Sequence, residues 1–326
     1  MQSPRSIALL VFEGAQILNI TGSAAVFAAA NNVLKQRVYD IHVLSPLGGA
    51  IESMSAITIL TKTMSTLDPE SVDTLLFTGS GHDNAADALE NNEVRQWVLR
   101  AISKCRRFGS SSGPATLALG RLRLLDGVRV AAHWAACDRL SKEIPSVAVD
   151  ANAIYVEHGR VWTSAGGSAG IDMALQMVAR DVGDSAANEI AKRLVLETRR
   201  PGYQPQLSEV VAALKRADND FSGLIGWIRA HLSKPMSVDS LAARAGMSPR
   251  NFQRKFTACV GQPPARFVET LRLEHALGLL SSGLPAKTIA NVCGYASPQQ
   301  LAKAFQRQHG SSPATFLRDK QVEVKS

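Results

Sequence analysis

The feature that most narrows what this chain can fold into is a pattern written twice in its last third. In the first copy, a helical stretch around Leu241-Ala242-Ala243-Arg244 stops at Gly246, and a new one begins with Ser248 as cap and Pro249 in the first helical position. Glycine tolerates the left-handed conformation that ends a helix, and proline at the start forgoes an N–H that has no partner there anyway. The second helix carries Phe252 and Phe256 on one face and Arg250, Gln253 and Arg254 on the other. About fifty residues later Ile289-Ala290, Gly294, Ser297-Pro298, Leu301 and Phe305 repeat the arrangement with one extra turn residue, leaving Gln299, Gln300 and Lys303 on the polar face. Between the copies, Pro264 to Leu280 reads as one long helix through Phe267, Leu271, Leu273 and Leu277. The repeat predicts an all-helical body holding two copies of one helix pair at a fixed separation.

Charge gives that body a partner. Residues 222–326 hold 14 Lys plus Arg against 5 Asp plus Glu, a balance of +9, whereas residues 1–221 hold 22 against 23, a balance of −1. A basic domain joined to a neutral one suits a polyanion, because neutralised phosphates supply most sequence-independent affinity. An amphipathic helix that docks its apolar stripe and projects Arg and Gln is a recognition helix: Arg matches guanine and Gln matches adenine in the major groove. Two such helices on a rigid spacer would enter successive groove segments about 34 Å apart. Double-stranded DNA is the expected partner.

The preceding residues differ in kind. Ile7 to Phe12, Ile41 to Ser45 and Thr74 to Thr78 are short apolar runs, and helical patterns at Gly22 to Lys35 and Glu93 to Cys105 alternate with them. That rhythm predicts α/β architecture, a parallel sheet covered by helices on both faces. Val147 to Val149, then Ile154 to Trp162 turning at His158-Gly159, predict later strands, followed by a long helix from about Gly170. The loosened stretch from Arg199 to Asp220 reads as a linker, giving domains at residues 1–198 and 221–326 with 199–220 between them. The four cysteines form no C-x-x-C pair, so neither a disulfide framework nor a metal site is expected, and no cofactor either. The apolar run at Ile7 is too short for a signal peptide, and no stretch reads as a membrane span; the expectation is a cytoplasmic protein without a membrane partner.

Gly109-Ser110-Ser111-Ser112-Gly113 fits G-x-S-x-G, the strand-to-helix elbow that presents a nucleophilic serine in hydrolases. A hydrolase or amidase using Ser111, with an accessory DNA-binding tail, is therefore the alternative reading. It needs a histidine base and a carboxylate to orient it; His133 is available, and only Asp126 lies between the two in the chain.

Two resemblances go further. Pro235 to Arg318 resembles the AraC-type DNA-binding domain, carried by Leu241 to Arg250, Gln253-Arg254-Lys255-Phe256, Gly261-Gln262-Pro263-Pro264, Leu271-Arg272-Leu273-Glu274-His275-Ala276, Cys293-Gly294-Tyr295, Phe305 and Gly310-Ser311-Ser312-Pro313. This resemblance implies DNA contacts from Arg250, Gln253, Arg254, Gln299, Gln300 and Lys303. The earlier residues resemble the DJ-1/PfpI class of the glutamine-amidotransferase-like superfamily, and the whole chain resembles GlxA-type regulators, which join the two domains. The carrying residues are Phe12-Glu13-Gly14, Ile20-Thr21-Gly22, Thr78-Gly79-Ser80-Gly81, Leu117 to Gly127, His133-Trp134, Thr163-Ser164-Ala165-Gly166, Gly170-Ile171-Asp172 and Arg199-Arg200-Pro201-Gly202.

That resemblance implies a flavodoxin-like sheet, and it implies that the enzymes' cysteine has become Ser111 and their supporting acidic residue Ala25. With both lost, the expectation is a catalytically inactive pocket that binds a small effector through Gly79, Ser80, Ser111, Ser112, His133 and Trp134. Asn19 and Thr163 are lesser candidates. Relatives of the class imply a nitrogenous metabolite, which Trp134 could meet by a cation–π contact. The paired architecture and the exposed linker around Arg199 to Asp220 suggest a homodimer through the α/β domain.

Overall fold

The computed structural model describes residues 3–79, 83–196, 198–207, 221–280 and 284–323. The chain divides into two compact units, one ending at Gln206 and the other running from Leu207 to Val322.

The first unit is built on an eight-stranded sheet. Its strands are β1 (Arg5–Val11), β2 (Tyr39–Ser45), β3 (Gly49–Glu52), β4 (Thr58–Thr63), β5 (Thr74–Thr78), β6 (Arg107–Ser110), β9 (Tyr155–His158) and β10 (Val161–Ser164), in the order β3-β4-β2-β1-β5-β6-β10-β9. The central six pair in parallel, and β3 and β9 are antiparallel edges. A separate parallel pair joins β7 (Arg129–Ala131) to β8 (Ala148–Asp150). Period-two alternation along β1 divides two cores: Ile7, Leu9 and Val11 face α1 (Ile17–Leu34), α6 (Ser168–Val182) and α7 (Asp184–Arg193), while Ala8 and Leu10 face α2 (Asn84–Ala88), α3 (Asn92–Lys104), α4 (Gly113–Arg121) and α5 (Cys137–Glu143). This is the expected parallel α/β sandwich.

Three expectations need correction. Helix α1 starts at Ile17 rather than Gly22, because Gly22 gives the close approach its packing demands: a Cβ there would lie 2.8 Å from Ile171 Cγ1 on α6. At 18 residues α1 is also long and apolar enough by composition to cross a membrane, contrary to the reading of no such stretch, but here it packs against α6 and α7 as a core helix. Finally, the stretch read as linker begins tied down. Arg199 binds Asp184, Asn188 and Gln176, Arg200 binds Asp172 and Ser168, and Ile154 N–H donates to the Gly202 carbonyl. Residues 208–220 of that stretch lie outside the described residues.

The second unit is helical: α8 (Ser222–Ala230), α9 (Val238–Arg244), α10 (Pro249–Val260), α11 (Pro264–Leu280), α12 (Ala286–Val292), α13 (Pro298–His309) and α14 (Pro313–Glu323). Gly246 and Gly294 take φ of 66° and 78° after α9 and α12, as the punctuation requires. Phe252, Phe256, Phe267 and Phe305 are fully buried, and Phe221 meets Phe252 and Phe256 edge-on at 5.9 and 5.3 Å.

Candidate nucleic-acid interface and effector site

Helices α9 and α10 form one helix-turn-helix, and α12 and α13 the other. In α10, burial of Phe252, Phe256 and Val260 turns Arg250, Gln253 and Arg254 to solvent, where with Thr257 and Ala258 they line one concave patch. Arg254 is steadied by Asn251, whose Oδ1 accepts from Nη2 at 3.2 Å. In α13, burial of Leu301, Ala304 and Phe305 exposes Gln299, Gln300 and Lys303 in the same way. Ser297 caps that helix by accepting from Gln300 N–H at 3.2 Å, and Gln300 Oε1 in turn accepts from Ala296 N–H. All six side chains singled out for DNA therefore lie on exposed faces of the two recognition helices.

In the first unit, β6 runs through Ser111 and Ser112 into α4. Ser111 is completely buried; its N–H donates to the Phe77 carbonyl at 2.9 Å and its hydroxyl to the same carbonyl at 3.3 Å. Ser112 is also buried, and its Oγ accepts from Gly79 N–H at 3.0 Å instead of capping α4. A nucleophile elbow holds its serine in a strained turn with the hydroxyl presented to substrate. Here Ser111 is absent from the non-glycine residues of positive φ, which among the described residues are Lys35, Ala56, Arg123 and Val195.

The proposed triad is not assembled. Asp126 bonds Arg123 at 2.8 Å and Ser146 at 2.6 Å, and the His133 ring accepts from Ala135 N–H at 3.3 Å. Cys137, the thiol nearest in sequence, is buried and hydrogen-bonded to the Ala132 and His133 carbonyls; burial pushes its ionisation up, so it is no thiolate.

His133 and Trp134 lie at the surface instead. Both are exposed, Trp134 by half, and their rings lie 5.2 Å apart. Their loop covers the start of α4, where a Cβ at Gly113 would meet Ala136 Cβ at 2.8 Å and His133 N at 3.8 Å. Thus Gly79, Ser111 and Ser112 are buried and bonded to one another or to Phe77, whereas His133 and Trp134 are exposed; Ser80 lies outside the described residues. Thr163 Oγ1 is occupied by Ala131 N–H at 2.8 Å.

Two residues at the site gain weight from the structure, one a lesser candidate of the sequence and one not legible in advance. Asn19, with the buried Ser23 and not the exposed Ala25, is the α1 side chain beside the elbow: a Cβ on Gly166 would lie 3.6 Å from Asn19 Oδ1 and 3.2 Å from the Ser111 carbonyl, and one on Gly170 3.7 Å from Ser23 Oγ and 3.8 Å from Ser111 Cβ. The position is still uncharged, and Asn19 Oδ1 accepts from Gly167 N–H at 2.6 Å. The other is Gln206. Its Oε1 accepts from Trp134 N–H at 2.8 Å, while its Nε2 lies 2.8, 3.1 and 3.0 Å from the carbonyls of Ala132, Ala151 and Ala153.

A covered parallel sheet with a sealed elbow, followed by paired recognition helices, defines a helix-turn-helix transcription regulator. The family description DJ-1/PfpI matches residues 5–180, more than half of the chain, and the description helix-turn-helix domain matches residues 241–319, so the chain belongs to the DJ-1/PfpI family and carries an AraC-type domain behind it. It is similar to the HTH-type transcriptional regulator CdhR of Pseudomonas aeruginosa, with 25% identity over 309 residues covering 94% of this chain and 89% of the relative. It is likewise similar to the HTH-type transcriptional regulator GlxA of Rhizobium meliloti, at 25% over 315 residues covering 96% and 95%. A solved AraC family transcriptional regulator from Pseudomonas putida superposes with a TM-score of 0.52 at 19% identity, covering 59% of this chain and 100% of that one, which supports the fold.

Proposed function

We propose that this regulator works in the cytoplasm as a homodimer, that its first unit binds a small nitrogenous effector without catalysing a reaction, and that its second unit reads DNA by sequence. The observation that carries the sensor reading is Ser111: a buried hydroxyl bonded to a backbone carbonyl, with no histidine or carboxylate bonded to it among the described residues, is not set up as a nucleophile. The half-exposed Trp134 ring, 5.2 Å from that of His133, would meet a cationic nitrogen by a cation–π contact. Gln206, where the first unit ends, holds the Trp134 loop through the Trp134 N–H.

The test is selection of bound sequences from a random DNA pool by the full-length protein. A motif with two blocks about one helical turn apart is expected. Arg254→Ala should weaken binding by about 1 to 3 kcal/mol and relax the motif at one position if the guanidinium meets a base, or weaken all sequences alike if it meets a phosphate. A variant as tight and as selective as the parent removes Arg254 from the interface. Steady turnover of an activated ester, abolished by Ser111→Ala, would defeat the sensor reading.

The hairpin β3–β4 supplies the surface for a second copy. Leu47 and Leu60 are 93% and 81% exposed, and Met54 and Ile57 are more than half exposed beside them. Leu60 stands opposite Ala50, between exposed Glu52 at one end and exposed Lys62 at the other. A two-fold axis through this face lays apolar centre on apolar centre and Glu52 on Lys62 of the other copy, a self-complementary arrangement. Leu60→Glu is expected to turn a dimer into a monomer in light scattering at micromolar concentration; an unchanged mass would put the interface elsewhere.

A further inference from the structure

The second unit holds a cavity of about 680 Å³ on the side of the spacer helix α11, lined by Met236, Ala265, Arg266, Val268, Glu269, Arg272, Tyr295, Arg307 and Gln308. It touches both helix-turn-helix units: Met236 precedes α9, Tyr295 lies in the turn between α12 and α13, and Arg307 and Gln308 are in the last turns of α13. Three guanidiniums face one carboxylate. Arg307 pairs with Glu269, so the remaining positive charge belongs to Arg266, exposed at the rim, and Arg272, half-buried on the inner wall. The hydrogen-bond partners of Arg272 are neutral: Nε donates to the Leu232 carbonyl at 3.0 Å and Nη2 to the Lys234 carbonyl at 2.8 Å. Its guanidinium also lies 5.9 Å from the centre of the Tyr295 ring.

Beside it, the Tyr295 hydroxyl is buried with no hydrogen-bond partner among the described residues. A buried hydroxyl without a partner is costly, and the half-buried Arg272 shares its one nearby carboxylate, Glu269, with Arg307. Burial accordingly pushes the Arg272 ionisation down. One ligand cures both defects: an oxyanion accepting from the Tyr295 hydroxyl and balancing Arg272 and Arg266, with any apolar body against Met236, Ala265 and Val268.

We infer that this cavity is an oxyanion site, taking a phosphate or carboxylate group between the two DNA-reading units, where it would fix their separation. The group comes either from a small organic anion or from the DNA backbone. The inference is independent of any effector in the first unit.

The test is calorimetric titration of the full-length protein with phenyl phosphate at constant ionic strength. Saturable binding of one equivalent per chain is expected, weakened about ten- to hundredfold by Tyr295→Phe or Arg266→Ala, the usual range for a hydrogen bond to a charged group. Tyr295→Phe removes only an unpartnered hydroxyl, so its unliganded unfolding midpoint should be no lower than the parent's. If duplex DNA displaces phenyl phosphate and Arg266→Ala reduces the salt dependence of DNA binding by about one charge, the occupant is a backbone phosphate. If duplex and phenyl phosphate bind together, it is a small anion. Absence of saturable binding, or equal binding by parent and both variants, overturns the assignment.

Discussion

Asp181→Ala is expected to destabilise the first unit by about 3 to 5 kcal/mol, because it leaves a buried guanidinium without its counter-ion. The Asp181 side chain is fully buried near the end of α6, and Arg107, 3% exposed, meets it from β6 with bonds of 3.1 and 2.7 Å. Arg106 adds a bond at 2.8 Å, the Tyr39 hydroxyl from β2 another at 2.8 Å, and Arg5 of β1 approaches to 3.8 Å. One carboxylate therefore ties one helix to three strands. Against a total stability of about 5 to 15 kcal/mol for a typical domain, the loss is large enough to show as a separate, early transition in urea while the second unit unfolds unchanged. Burial alone would push the Asp181 carboxyl up, but the charge of Arg107 with hydrogen bonds from Arg106, Arg107 and Tyr39 more than reverses this and holds it below the ordinary carboxylate range. The stabilisation is thus complete above the unfolded carboxylate's pKa of about 3.9, and it is lost as pH falls through the lower folded value. The variant should lose that acid-side dependence; one that unfolds with the parent at neutral pH shows that the network contributes nothing net.

The elements legible in the sequence were those whose ends are written locally. The spacer helix Pro264–Leu280 and the strand Thr74–Thr78 appear where they were expected, because Gly261 with paired prolines, and the turn residues beyond the strand, act over two or three residues. The strands β3, β6 and β7 have only three or four residues each and no polar alternation that a window could register; they exist because neighbours pair with them. Helix α1 was placed too late for a related reason. Thr21-Gly22 looks like a break, and only the contact with Ile171 explains why the helix runs through it.

The site divides along the same line. Residue type and spacing put Arg250, Gln253 and Arg254 on the polar face of a helix, and burial of the opposite face leaves them no other place. The elbow, in contrast, was legible as a motif and not as a geometry: which way the Ser111 hydroxyl points depends on Phe77, 34 residues away. Asn19 was named only as a lesser candidate, and Ala25 was given the acidic residue's place, because counting along an apolar helix does not say which turn meets the next strand. Gln206 was beyond any local reading, since the backbone groups that it binds lie 53 to 74 residues earlier.

The second large effect falls on the first glycine of the same motif, and it separates a packing role from a catalytic one. Gly109 lies in β6 opposite Leu76 on one side and Trp162 on the other. A Cβ there would stand 1.5 Å from the Trp162 carbonyl oxygen and 2.5 Å from its carbon. Those are backbone atoms of β10, held by the register of Val161 on Phe108 and Thr163 on Ser110, so relief requires the two strands to part. Gly109→Ala should therefore cost at least about 3 kcal/mol, at or beyond the usual upper end for overpacking, and yield protein whose first unit is unfolded or insoluble. Gly113→Ala is the internal comparison: its Cβ meets the Ala136 side chain at 2.8 Å, on a loop that can give, so the cost should be clearly smaller and the loop at His133 displaced. A sheet too tight for one methyl group explains why glycine precedes the serines without invoking a reaction at Ser111. Were the two alanine variants equally stable, the glycine would need another reason, and the elbow would again be a candidate for chemistry.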